Sequence, residues 1–165
     1  MDKNRMDSFI LLMYGAIIVF FAYKIFKSKK NRGLLQGEIS EFKRKVSPIE
    51  IGLLVVLLAT GAVNLYMGIK QNNFNNMAQS AVMIVLAIIF GLFSQNKLCI
   101  GENGILANSN FYDYKQLKKW GFDTSSSDLV MQVKTKNQLT NESVRVTRDD
   151  IQEINNLIRK YKLNK

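Results

Sequence analysis

Residues 51–69 read IGLLVVLLATGAVNLYMGI, an uncharged stretch bounded by Glu50 and Lys70. At 1.5 Å of rise per residue, its roughly 19 residues make about 28 Å of helix, close to the hydrocarbon thickness of a bilayer. Two other blocks match it. Ser8 to Tyr23 carries no charge, and the apolar character continues through Lys24 to Phe26, where a long lysine stem can reach the headgroups. Charge is also absent from Gln71 to Asn96, with Met77 to Phe93 as the apolar part. Transmembrane helices are therefore expected at about 8–26, 51–69 and 77–96, within a membrane domain covering residues 1–96. A cleaved signal peptide would also place Lys3 and Arg5 ahead of an apolar run, but no small-x-small pattern follows it. Buried soluble helices are excluded by size, because the remaining polar residues could not surround three such segments.

The 47% hydrophobic content of the 165-residue chain is ordinary, so the information lies in how the apolar residues cluster. The net charge of +10 is equally uneven. Between the first two spans, in a loop at residues 27–48 and its approach, lie Lys24, Lys27, Lys29, Lys30, Arg32, Lys43, Arg44 and Lys45, opposed by Glu38 and Glu41. The second loop, Lys70 to Asn76, holds one lysine in a run of asparagines. Cytoplasmic loops carry the positive excess, which predicts a multi-pass protein of the cell membrane with the first loop inside, the second outside and the N-terminus outside. Residues 97–165, with 12 positive and 8 negative side chains, then form a cytoplasmic domain.

Within the spans, ionisable groups are nearly absent, whereas an ion or proton path needs ligands where lipid supplies none. Glu50, beside Pro48 at the entry of the second span, is expected at the interface. Thr60, Asn64 and Gly68 recur every four residues and share a face with Gly61, which predicts a helix-packing seam; a substrate-binding stripe is the alternative reading. Ala87 and Gly91 offer a similar contact on the third helix. In the basic loop, Leu35, Ile39, Phe42 and Val46 follow spacings of four, three and four. A short amphipathic helix along the inner leaflet would use them, with Lys27, Lys29, Lys30, Arg32, Lys43, Arg44 and Lys45 contacting lipid headgroups. The same charges also serve simply as a topology signal. Nucleic acid is not an expected partner, since no aromatic-basic platform accompanies the charge.

After residue 97 the period changes to that of strands. Leu98-Cys99-Ile100 and Ile105-Leu106-Ala107 flank Glu102-Asn103-Gly104, an Asn-Gly pair of the kind favoured in type I′ hairpins. A turn at Asn108-Ser109-Asn110, an aromatic strand with Phe111, Tyr112 and Tyr114, and an apolar stretch from Leu117 to Phe122 follow. Leu129, Met131 and Val133 alternate with Val130, Gln132 and Lys134, a turn is expected from Lys136 to Glu142, and Val144 and Val146 alternate with Arg145 and Thr147. Thr147-Arg148-Asp149-Asp150 reads as a cap. Ile151, Ile154, Leu157, Ile158 and Tyr161 then line one stripe of a C-terminal helix.

The opening Ile100-Gly101-Glu102-Asn103-Gly104-Ile105, the segment Phe111-Tyr112-Asp113-Tyr114-Lys115-Gln116-Leu117, and Thr147-Arg148-Asp149-Asp150-Ile151 before the helix carry a resemblance. The region is similar to the small pleckstrin-homology-like (PH-like) domains of bacterial membrane proteins, the YcxB-like proteins and a related family of unknown function among them. Members often have Trp where Tyr114 stands. The resemblance implies a fold class of three transmembrane helices plus a small β-rich PH-like domain with one C-terminal helix, and it implies no reaction.

Catalytic apparatus is missing from the sequence. There is no His, no phosphate-binding glycine loop and no serine in an elbow context, and Cys99 reads as a small buried hydrophobe kept reduced in the cytoplasm. Asp149 and Asp150 are accounted for by the helix start. No catalytic, cofactor or metal site is expected. The functions that stand are a membrane-anchored interaction module using membrane lipids or a protein partner, an immunity or accessory membrane protein, and a small transporter or channel built as a homo-oligomer around the Thr60, Asn64 and Gly68 face.

Overall fold

The computed structural model describes residues 3–136 and 138–163. The chain forms α1 (Lys3–Arg32), β1 (Ser40–Lys43), α2 (Pro48–Lys70), α3 (Phe74–Ser94), six further strands and α4 (Ile151–Leu163). It divides into two compact units, one made of Met1–Ile25 and Ser47–Ser94, the other of Phe26–Val46 and Gln95–Lys165.

In the helical unit, Phe9–Arg32, Pro48–Lys70 and Phe74–Ser94 are long and apolar enough to cross a membrane, with mean hydropathies of 2.2, 1.9 and 2.2. Their apolar surface is mostly uncovered by protein: none of the most apolar window of α1 is buried, and only 22% of that of α3. Such surfaces are compatible with lipid as solvent. Each helix begins earlier or ends later than its apolar block, and for α2 the reason is local. Ser47, Pro48 and Glu50 form a capping box, in which Ser47 Oγ accepts from Ile49 N at 3.3 Å and the Glu50 carboxylate accepts from Ser47 N at 2.9 Å. Pro48 at the first helical position has no N–H to leave unsatisfied. The asparagines between α2 and α3 are used similarly. Asn72 takes a left-handed φ of 49°, and Asn73 Oδ1 accepts from the amides of Asn75 and Asn76, capping α3.

Helices α2 and α3 pack through small residues. A Cβ on Gly61 would sit 3.0 Å from Ile84 Cγ1, and one on Gly68 would sit 2.9 Å from Met77 Cγ. Ser80 and Ser94 turn their hydroxyls back onto the carbonyls of Asn76 and Phe90, so burying them leaves no donor unpaired. From α1, the Phe21 ring reaches Phe90 and Phe93 of α3, at centroid distances of 5.6 and 5.0 Å.

The second unit holds two antiparallel sheets. One has the order β1-β2-β3-β4, with β2 (Lys97–Ile100), β3 (Gly104–Ala107) and β4 (Asn110–Asp113); the other has the order β5-β6-β7, with β5 (Leu117–Phe122), β6 (Asp128–Thr135) and β7 (Gln138–Arg145). Strand β1 comes from the segment between the first two spans. It pairs with β2 in the register Ser40↔Ile100, Glu41↔Cys99, Phe42↔Leu98 and Lys43↔Lys97. An amphipathic helix over Leu35 to Val46 is therefore not what forms. The Gly33 and Gly37 positions weaken a helix there, Gly37 adopts φ +76°, and the strand alternation sends Phe42 inward while Glu41 and Lys43 face out. Phe42 joins Leu98, Ile100, Ile105, Leu129, Met131, Val133, Val146, Ile154 and Ile158 in the core, while Leu35 packs with Cys99 and Leu106 in a smaller cluster.

Two turns differ from expectation. The two-residue loop with positive φ at both positions is Asn108-Ser109 (48° and 71°), so the I′ geometry belongs there. Asn103-Gly104 has another task. Gly104 lies so close to β4 that a Cβ would meet Tyr112 O at 2.4 Å, and Asn103 clamps the inter-span segment, accepting from Gln36 N at 3.0 Å and donating to Leu34 O at 2.8 Å. The polar residues from Gln138 to Glu142 are strand, not turn: β7 pairs with β6 from Thr135↔Gln138 onward, and the left-handed Lys136 (φ 54°) starts the reversal. At the other end, Thr147 makes no side-chain cap bond. A 3-10 turn over Arg148–Asp150 leads into α4, whose Ile154, Ile158 and Tyr161 are buried.

Phe42→Ala tests the place of β1 in this unit. Losing a buried phenylalanine lowers stability by about 3–5 kcal/mol, whereas Ile39→Ala, at an exposed position, changes it by about 0.5 kcal/mol or less. Thermally driven proteolysis of the full-length protein in detergent reads both, and equal effects would remove Phe42 from the core.

Candidate functional site

The cations of the inter-span segment do not act as one patch. Arg32, at the end of α1, pairs with Glu41 on β1, and Lys97 on β2 reaches the other Glu41 oxygen at 2.7 Å. These partners, the Lys97 hydrogen bond first, hold the Glu41 carboxyl below its ordinary value. Lys29, Lys30, Lys43 and Lys45 are exposed and Arg44 is half-buried. Lys43 borders a groove of about 480 Å³ with Asp149, Asp150 and Glu153, an acidic setting. Lys27 belongs to a different environment. It lines a groove of about 310 Å³ with Asn31 of the same helix, with Leu34 just beyond it, and with Asn110, Phe111, Tyr112, Gln116 and Thr135.

That groove shares two lining residues, Tyr112 and Thr135, with a second one of about 570 Å³; Lys136, Gln138, Thr140 and Glu142 complete the second. Tyr112 is held between the two sheets. Its hydroxyl donates to Glu142 Oε1 at 2.7 Å, while Asn108 Nδ2 donates to the other Glu142 oxygen at 3.2 Å and to Ser143 O at 3.0 Å. These bonds tie the β3–β4 hairpin to β7 across the gap between the sheets. Asn31 Nδ2 donates to Ser109 O at 2.8 Å, which fixes the end of α1 on the same hairpin. Burial, then the neighbouring Glu142 carboxylate, pushes the Tyr112 phenol well above its usual value, and burial does the same to Tyr114, whose hydroxyl donates to Gly101 O at 2.8 Å.

Elsewhere, α4 is joined to β5 by Trp120, which donates to Asn155 Oδ1 at 3.1 Å and lies under the Lys162 ammonium, 5.2 Å from the ring centroid. Lys162 donates to Leu117 O, and burial lowers its ammonium below the usual lysine range. Cys99 is buried and its thiol is raised by desolvation, an inert setting. Among the described residues, no group of three or more His, Cys, Asp or Glu could hold a metal ion.

Of the three seam residues, Gly68 is buried against α3, Asn64 is half-buried and Thr60 is exposed, and the close approach to α3 is made by Gly61 and Gly68. The Asn103 clamp and the Tyr112–Glu142 bond escape sequence reasoning because both link residues 30 or more positions apart. Ser47-Pro48-Ile49-Glu50 did carry a local signature, the Ser-x-x-Glu spacing.

Residues 96–163 match a family described as a domain of unknown function (DUF5673). The match runs from the start of β2 to the end of α4 and leaves β1 outside. No curated protein and no solved structure matches the chain.

The raised tyrosines give a pH dependence with a definite sign. A phenol whose folded pKa is raised contributes stability below the ordinary phenol value of about 10, and that contribution is lost as pH climbs above it, because the unfolded chain releases a proton the folded one retains. The β unit should thus lose stability from about pH 10 upward, less steeply in Tyr112→Phe and Tyr114→Phe. Melting temperature against pH reads this; identical slopes in wild type and both variants would contradict it.

Proposed function

We propose that the chain is an integral membrane protein that crosses the bilayer three times and presents a PH-like interaction domain to the cytoplasm. One observation carries this reading: the segment between the first two spans supplies β1 to the sheet formed by the residues after the third span. Two segments that share a sheet lie on the same side of a membrane, so the number of crossings between them is even. Helices α2 and α3 provide that even number. The positive excess of the first loop favours the cytoplasm as that side, and a reduced, buried Cys99 suits it.

The PH-like assignment draws on the strand count and order. Four strands in one sheet, three in the next and one closing helix fit the resemblance of residues 100–117 and 147–151, with β1 as the strand outside the matched region. We read the domain as a binding module and not a catalyst, because the two grooves that share Tyr112 and Thr135 are lined mainly by amides, hydroxyls and one lysine each, and their one carboxylate, Glu142, is hydrogen-bonded to Tyr112 and Asn108. Its partners on this reading are the headgroups of membrane lipids, or a protein brought to the membrane surface.

Sidedness is measurable in intact cells with Cys99→Ser as the background. A membrane-impermeant maleimide should label Asn75→Cys, in the first turn of α3, without permeabilisation, and should label Ser125→Cys, in the β5–β6 loop, only after it. Labelling of Ser125→Cys but not Asn75→Cys in intact cells would reverse the orientation, and equal labelling of both positions before permeabilisation would remove α3 as a span between them.

A further inference from the structure

We propose that the two grooves that share Tyr112 and Thr135, one bearing Lys27 and the other Lys136, hold the phosphate-bearing headgroup of an anionic glycerophospholipid. This rests on the reading of the chain as a membrane protein, and three observations select the occupant. First, the grooves lie between the end of α1, the β4 edge and the β6–β7 hairpin, and each carries one lysine, Lys27 in the first and Lys136 in the second. Second, the lining is rich in uncharged donors that suit phosphate and glycerol oxygens. Gln116 uses its carbonyl to accept from Asp113 N, leaving the amide N–H groups as donors; Thr135 lines both grooves and Thr140 the second. The one carboxylate present, Glu142, has both oxygens hydrogen-bonded, by Tyr112 and Asn108. Third, Lys27 follows Tyr23 by four residues on one continuous helix, about 6 Å of rise beyond the charge-free stretch, which is the depth of the headgroups.

The basic last turn of α1, with Lys29, Lys30 and Arg32, offsets the negative end of its dipole, which would otherwise repel an anion. The groove at Asp149, Asp150 and Glu153 has the opposite character and serves as a built-in comparison.

The test uses the delipidated full-length protein in neutral detergent, with bound lipid counted by native mass spectrometry. Dioleoylphosphatidylglycerol should be retained over dioleoylphosphatidylcholine, and Lys27→Gln with Lys136→Gln should weaken that retention roughly thirtyfold, the scale set by two lysines at an anionic surface. Arg159→Gln with Lys160→Gln removes the same charge from α4 and should leave retention unchanged. Thr135→Val, which alters no charge, should also weaken it. The proposal is overturned if both double variants weaken retention equally, since the attraction is then charge alone. It is equally overturned if phosphatidylcholine binds as well as phosphatidylglycerol, or if soluble glycerol phosphate binds as tightly as the lipid. Detergent solution has no sidedness, so this result and the maleimide labelling fail independently.

Discussion

The antiparallel pairing of Ser40–Lys43 with Lys97–Ile100 is the constraint on which the rest of this structure depends. It joins residues separated by two long apolar helices, and it turns a basic connecting loop into a structural strand. Without β1 the backbone groups along one side of β2 would lack partners, and Phe42 would leave the core it shares with Leu98 and Ile100. The pairing is reinforced from both ends. Glu41 bridges Arg32 and Lys97 on the outer face, and Asn103, Glu102 and Gln36 exchange hydrogen bonds where the segment turns. At the far end, Lys45 N donates to Arg145 O at 3.3 Å, so the segment reaches the second sheet as well.

These contacts give the basic segment two kinds of cation. Arg32 and Lys97 belong to the fold, since their charge is matched by Glu41, and an exposed pair of this kind contributes at most about 1 kcal/mol. Lys27 stands in a donor-lined groove, and Lys29 and Lys30 close the helix beside it. The distinction matters for function because net charge by itself attracts any anion, whereas a groove with placed amides and hydroxyls discriminates among them. The groove near Asp149 is acidic, whereas the Lys27 groove has no carboxylate in its lining.

Much of the architecture was legible in local patterns. Spans show as charge-free runs whose length matches a bilayer, and α4 shows as one apolar stripe, because both depend on residues within a few turns of each other. The alternation of Leu129, Met131 and Val133 similarly exposed β6. The inter-span segment was misleading for a physical reason. Leu35, Ile39, Phe42 and Val46 fit helical spacing, but only Leu35 and Phe42 are buried, each by a different cluster, and the surface that buries them comes from residues some 60 positions later. No periodicity within the segment encodes that surface. The candidate site was only partly visible for the same reason: Lys27 could be named as a headgroup contact, yet Tyr112, Thr135 and Lys136, which complete its groove, come from β4 and the β6–β7 hairpin.

The most direct measurement of the account uses the chain's own cysteine. Glu41 faces Cys99 across β1 and β2, so Glu41→Cys in the full-length protein should form an intramolecular disulfide with Cys99 under mild oxidation, seen by mass spectrometry after cleavage between the spans. Lys45→Cys, beyond the paired register, should not. A Glu41→Cys protein that stays reduced, or that crosslinks no better than Lys45→Cys, would contradict the pairing and with it the even-crossing topology built upon it.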